Sequence, residues 1–152
     1  MLCDHAQIEG GKLFISGANI DRVLVAAGAP APFALVFAVA GLVRVGWTDT
    51  NVDHTLSIGL QTPDGDPGPV PGIGPDGSLV EMGFNVGRPP QAAAGDDQLM
   101  PFVVPFQPLP VLEPGRLVVV VSVDGEPVRS LPLTVMQQAQ QGGHGPASIP
   151  NL

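Results

Sequence analysis

The chain predicts an all-β fold, an antiparallel β-sandwich (Ig-like or C2-like) of about eight or nine strands, and three observations carry that expectation. Its apolar runs are of strand length and close on glycine or proline, of which there are 20 and 18 among 152 residues. No stretch keeps the 3.6-residue period of a helix. Where one face of a strand is wet, the alternation has period two, as in Leu56, Ile58 and Leu60 against Ser57, Gly59 and Gln61.

A chain of this length fits one domain and buries roughly 70% of the surface its unfolded form exposes. Charged residues are 13% of the total against a usual share of about 25%, so much of the surface is neutral or apolar. Such a surface favours self-association, and a homo-oligomer or a protein partner is expected. The net charge of −8 reflects six basic residues against fourteen acids, the six scattered as Lys12, Arg22, Arg44, Arg88, Arg116 and Arg129. Nucleic acid and anionic membranes need clustered Lys and Arg, so neither is an expected partner. Cys3 is the only cysteine. With no internal disulfide to form and no basic-then-apolar leader at the start, a reducing cytoplasm is the expected compartment. Val23 to Val43 is twenty-one residues without a charge, yet Pro30 and Pro32 divide it and leave about eleven apolar residues, short of the roughly twenty a spanning helix needs.

The strands follow in order. Leu2 to Ile8 and Lys12 to Ser16 flank Gly10-Gly11, a hairpin turn in which both residues accept positive φ. Asp21 to Val25 adds a short strand. Phe33 to Val45 alternates large and small apolar residues, as a strand covered on both faces would, with a bend expected at Gly41. His54 to Thr62 buries its even positions. Pro63 to Gly77 is dense in turn formers and reads as a long surface loop. Ser78 to Val86 turns Val80, Met82, Phe84 and Val86 inward. Met100 to Phe106 carries Pro101 and Pro105 on one parity, which confines it to an edge. Arg116 to Val123 and Glu126 to Val135 meet at Asp124-Gly125, the signature of a type I′ hairpin, and Pro132 puts the second of them near an edge. The sandwich domain is therefore expected over 1–136, and 137–152, rich in Gln and Gly, as a flexible tail.

Motifs with a possible chemistry are few. Gly72-Ile73-Gly74-Pro75-Asp76-Gly77 matches a dinucleotide fingerprint in spacing, but a strand follows where the helix that holds the pyrophosphate must start. Asp49 to Asp53 opens like an EF-hand, but His54 replaces the glycine at the sixth position and Leu60 the bidentate glutamate at the twelfth. A looser calcium site among Asp49, Asn51, Asp53, Asp64 or Asp66 is the alternative reading. Cys3-Asp4-His5 would serve a metal or a nucleophile only if His54 converged on it. No catalytic constellation, cofactor motif or metal motif is identified. The polar and aromatic connection with Trp47, Asp49 and Asn51, next to His54, and the strand exit with Arg88 are the candidate ligand or partner contacts, since such connections often carry binding.

The order Gly10-Gly11-Lys12-Leu13-Phe14, Trp47-Thr48-Asp49-Thr50-Asn51 with His54, Asp64-Gly65, Phe84 to Pro90, Pro114-Gly115-Arg116 and Val123-Asp124-Gly125 resembles a family of uncharacterised bacterial proteins, chiefly actinobacterial, catalogued as a domain of unknown function. The resemblance runs from Met1 to Val135 and implies a bacterial β-sandwich. It implies no activity, substrate or catalytic residue. The sequence thus points to a non-enzymatic interaction or scaffolding module that self-associates, with a loop-based small-ligand or calcium site, and then an unfamiliar hydrolase, as alternatives.

Overall fold

Glycine and proline end the apolar runs where the sequence places them, and nine strands result among the described residues. A computed structural model describes residues 1–139. The strands are β1 (Leu2–Glu9), β2 (Lys12–Ala18), β3 (Arg22–Val25), β4 (Phe33–Val45), β5 (Asp53–Gln61), β6 (Ser78–Asn85), β7 (Gln98–Val111), β8 (Gly115–Val123) and β9 (Glu126–Gln137). They form a four-stranded sheet in the order β2-β1-β4-β7 and a five-stranded sheet in the order β3-β9-β8-β5-β6. The sheets pack face to face. Leu35, Phe37 and Val39 of β4 and Phe102, Val104 and Phe106 of β7 share one core with Leu56, Ile58 and Leu60 of β5, Val119 of β8 and Leu133 of β9.

The turns behave as their residues require. Gly10 and Gly11 both have positive φ, and so do Asp124 and Gly125, the geometry of a two-residue hairpin whose twist matches its strands. β4 is covered on both faces at its middle. Its other face there puts Ala38 and Ala40 in a second, smaller core with Cys3 and Ala6, against which Leu13, Ile15 and Val103 pack.

The prolines mark edges, as expected, and the register explains how. Ala40 donates to and accepts from Met1 on the side of β4 away from β7. Pro101, Pro105 and Pro110 pair with Leu42, Ala38 and Ala34, the same parity of β4 as Ala40. Their ring nitrogens therefore lie along the outer edge of β7, where a proline removes a donor that no strand in the sheet uses. Likewise the Thr134 N–H donates to Asp21 at 2.8 Å toward β3, so Pro132, two residues earlier, lies on that same side just before β3 begins to pair.

Two expectations need correction. The sandwich is not wholly antiparallel: β3 runs parallel to β9, because Asp21 to Val25 reaches β9 after crossing from the other sheet rather than through a hairpin. The segment from Pro63 to Gly77 is not only a surface loop. Val70 is buried in the main core, Gly68 N–H donates to Leu60 at 2.8 Å, and Leu112 N–H donates to Pro69 at 2.7 Å, so this strap closes one end of the sandwich. At the start of the segment expected as a tail, Gln137 pairs with Val25 and Gln138 N–H donates to Val25 at 3.0 Å. Residues 140–152 of that tail lie outside the described residues.

Candidate functional site

β4 ends at Val45, and Gly46 opens a single 3-10 turn over Trp47–Asp49. The turn closes on itself: the Thr50 hydroxyl donates to the Trp47 carbonyl at 2.8 Å, and Thr50 is the one buried polar residue among those described. Asn51 then takes a φ of 61°, a conformation asparagine tolerates, and its N–H donates to Val86 at 2.8 Å. That bond ties the connection to the end of β6, from which Arg88 emerges.

Arg88 folds back over this turn. Its Nη2 donates to the Trp47 carbonyl at 2.7 Å, Nε and Nη2 donate to Thr50 Oγ1 at 3.0 and 2.7 Å, and its guanidinium carbon lies 3.9 Å from the centre of the Trp47 ring. A planar cation suits both tasks at once, forked donation in its plane and stacking on the indole face.

His54, at the start of β5, makes the second half of the corner. Pairing of Leu56 with Val123 brings the β8–β9 turn beside it. Asp124 Oδ1 accepts from Thr55 N–H at 2.8 Å, and its own N–H donates to the Thr55 carbonyl at 2.8 Å. Its other oxygen, Oδ2, lies 2.8 Å from His54 Nδ1, while His54 Nε2 lies 2.9 Å from the Asp49 carbonyl. Both groups are acceptors, and a neutral imidazole has only one N–H to give. The geometry therefore suits the imidazolium. In agreement, the bond to Asp124 and then the Asp49 carbonyl hold the His54 pKa above its ordinary value, and the bond from His54 holds that of Asp124 below its own. The ring stacks on Phe84, its cross-strand neighbour, with centroids 5.2 Å apart.

Of the residues singled out in the sequence, Trp47, Asp49, His54 and Arg88 meet at this one corner, and Asn51 joins it through its backbone. Asp49 contributes a carbonyl; its carboxylate is exposed and, among the described residues, accepts from the Thr48 hydroxyl alone, at 3.3 Å. The contacts that sequence reasoning missed are Thr50, Phe84 and Asp124. Asp124 was legible only as a turn residue, since it stands seventy positions from His54 and no local signal joins them.

The corner lines a shallow cleft of about 310 Å³ with His54, Phe84 and Asp124 on its wall. A His–Asp pair transfers protons only if the second ring nitrogen faces a substrate or nucleophile. Here Nε2 faces the Asp49 carbonyl. The other candidates separate. Asp64 and Asp66 follow the far end of β5, a nine-residue strand about 27 Å long, so they do not converge with Asp49, Asn51 and Asp53, and Asn85 donates to Asp53 at 2.8 Å. The proposed ligand set spanning both loops is thus divided between the two ends of the sandwich. Among the described residues no three His, Cys, Asp or Glu side chains gather as an ion site. Cys3 and His5 are on β1 of the four-stranded sheet and His54 on β5 of the other. Cys3 is buried, its Sγ lies 3.6 Å from the Ala38 carbonyl, and burial pushes its thiol pKa up.

Two packed sheets and a corner cross-linked by its own side chains define a β-sandwich domain. A family model described as a family of unknown function (DUF6941) matches residues 1–136, and the chain belongs to that family. Neither the curated proteins nor the solved structures hold a match to it. Among the described residues no helix is long and apolar enough to cross a membrane.

Proposed function

We propose that the chain is a non-enzymatic β-sandwich interaction module that self-associates through the outer face of its four-stranded sheet. One observation carries the reading. Leu42 and Leu99, with Val36 further along β4, are exposed at 55%, 58% and 57% on that face, where Leu42 pairs with Pro101 and Arg44 with Leu99. A second copy of the same apolar face is the occupant that needs no charge complement, and the chain is too acidic for a strongly acidic one. The corner around His54 supports the same reading from the other side, because its polar groups are spent on one another.

Completing the burial of three half-covered side chains is worth roughly 1 kcal/mol each. Counted from both copies that is about 6 kcal/mol, near the low end of the roughly 4–15 kcal/mol that association costs, so the complex is weak and transient. Pairing through the edge of β7 is opposed by its prolines, which favours the face over that edge. The single buried Cys3 fits a cytoplasmic setting, and a bacterial origin, chiefly actinobacterial, belongs to the reading as the resemblance implies it.

Sedimentation velocity over about 10 μM to about 1 mM tests this, a range matched to a weak dimer. The expected outcome is a concentration-dependent shift to a dimer in the wild type that Leu42→Lys with Leu99→Glu abolishes. A single monomeric boundary throughout the range overturns it.

A further inference from the structure

Among the described residues, both sheets lack an edge partner at the same corner of the sandwich. β1 pairs with β4 only at Leu2 and Cys3, and β3 pairs with β9 only from Thr134 onward. β4 beyond Ala40 and β9 before Thr134 are consequently uncovered on that side. Between them opens a cleft of about 450 Å³, within the range of about 300–1,000 Å³ typical of small-molecule sites. Val43, Phe102, Val121 and Val123 give it apolar walls.

Its charge is the informative part. Eleven of the described residues line the cleft, two of them Arg44 and Arg129, and none of these is Asp or Glu, in a chain where acids outnumber bases fourteen to six. Arg129 pairs across with Val121, a core residue, so it stands at an inward position where the sheets part. It forms no ion pair with a described residue. Arg44 has only an exposed contact to Asp97 at 3.2 Å, the kind of pair an incoming anion displaces readily.

We infer that this cleft binds a free single-chain alkyl carboxylate, its head on Arg129 with help from Arg44 and its chain along Val43, Phe102, Val121 and Val123. An inward arginine also blunts the bare edge of β9, but edge protection alone would not require acids to be missing from the whole lining. A guanidinium offers the paired donors that a carboxylate takes, and the apolar floor removes the chain from water.

The test is a titration of the full chain with decanoate, below its micellar range, followed by two-dimensional amide NMR. Saturable shifts confined to Gly41, Val43, Phe102 and Val123 are expected, with none from decyltrimethylammonium, which carries the same chain and the opposite charge. Arg129→Gln is expected to weaken binding about fivefold or more, and Arg129→Lys to recover part of it. The inference is overturned if the cation binds as well as the anion, if Arg129→Gln binds as the wild type does, or if the shifts centre on Val36 instead. Repeating the titration in a Val36→Glu variant, on the outer face but outside the cleft lining, separates ligand binding from self-association, so either reading can fail without the other.

Discussion

Two acceptors facing the two nitrogens of one imidazole make His54 the most informative side chain in the molecule. Because its folded-state pKa is raised, the stability it contributes is fully present below its ordinary value of 6.5 and is lost as pH rises through the raised one. Asp124 works in the opposite sense: its pKa is lowered, so its contribution is present above 3.8 and is lost as pH falls through the lowered value. The pair is therefore strongest between those two ordinary values. Asp124→Asn keeps an oxygen for Thr55 N–H and a residue that tolerates positive φ, and removes only the charge. Thermal melts across pH should show the wild-type midpoint falling as pH rises above 6.5 and the variant flatter over that interval, with the His54 ring titrating at lower pH by NMR. Equal slopes would show that the charge does not matter. Arg88 is the other residue to test. Arg88→Ala loses three donated bonds and the stacking on Trp47, and is expected to cost about 1–3 kcal/mol in denaturant melts, with a change in Trp47 emission. Arg88→Lys should recover less than half, because an ammonium cannot fork and stack together.

At the scale of elements, the strap from Thr62 to Gly77 shows how a segment can be made almost wholly of turn formers and still be structural in role. Gly68 is required there, since a Cβ on it would lie 2.8 Å from Leu60 Cγ and 3.1 Å from the Leu60 carbonyl oxygen. Gly68→Ala should lower stability by about 1–3 kcal/mol, as overpacking does, without changing the denaturant slope. A loss under 0.3 kcal/mol would mean the strap gives way easily, roughly the range of a neutral surface change. The edge of β7 makes the complementary case. Pro101→Thr with Pro105→Thr restores two donors on an open edge and should increase irreversible aggregation during heating, measured by light scattering, more than it changes the midpoint. The strands themselves were legible because period two and Gly/Pro closure are local properties, and all nine expected runs formed. The direction of β3 and the buried position of Val70 were not. Both depend on which distant surface the chain meets, and a lone valine among prolines carries no period.

For the whole molecule the same limit governs the corner and the assembly. Trp47, Asp49, Asn51, His54 and Arg88 stood out because polar and aromatic residues gather on the connections between strands, but what they do depends on Asp124, which arrives through the register of β5 on β8. Composition, by contrast, was legible at this scale and has a consequence for association. At pH 7 each copy carries a formal net charge of −8, so two copies repel, against the attraction proposed for their apolar faces. Both lowering the pH toward the pI of about 4.4 and raising the salt weaken the repulsion, and neither alters the face. Self-association should then tighten on going from pH 7 to pH 5, and again at pH 7 on going from low to high salt, as read by sedimentation velocity. At pH 5 the His54–Asp124 pair is in the interval where it holds most firmly, so the species that associates is the folded one. Trp47 emission and the far-ultraviolet spectrum should accordingly stay unchanged while the sedimentation coefficient rises. If the emission shifted first, association at low pH would come from an opened corner, and the outer face of β4 and β7 would not be its cause.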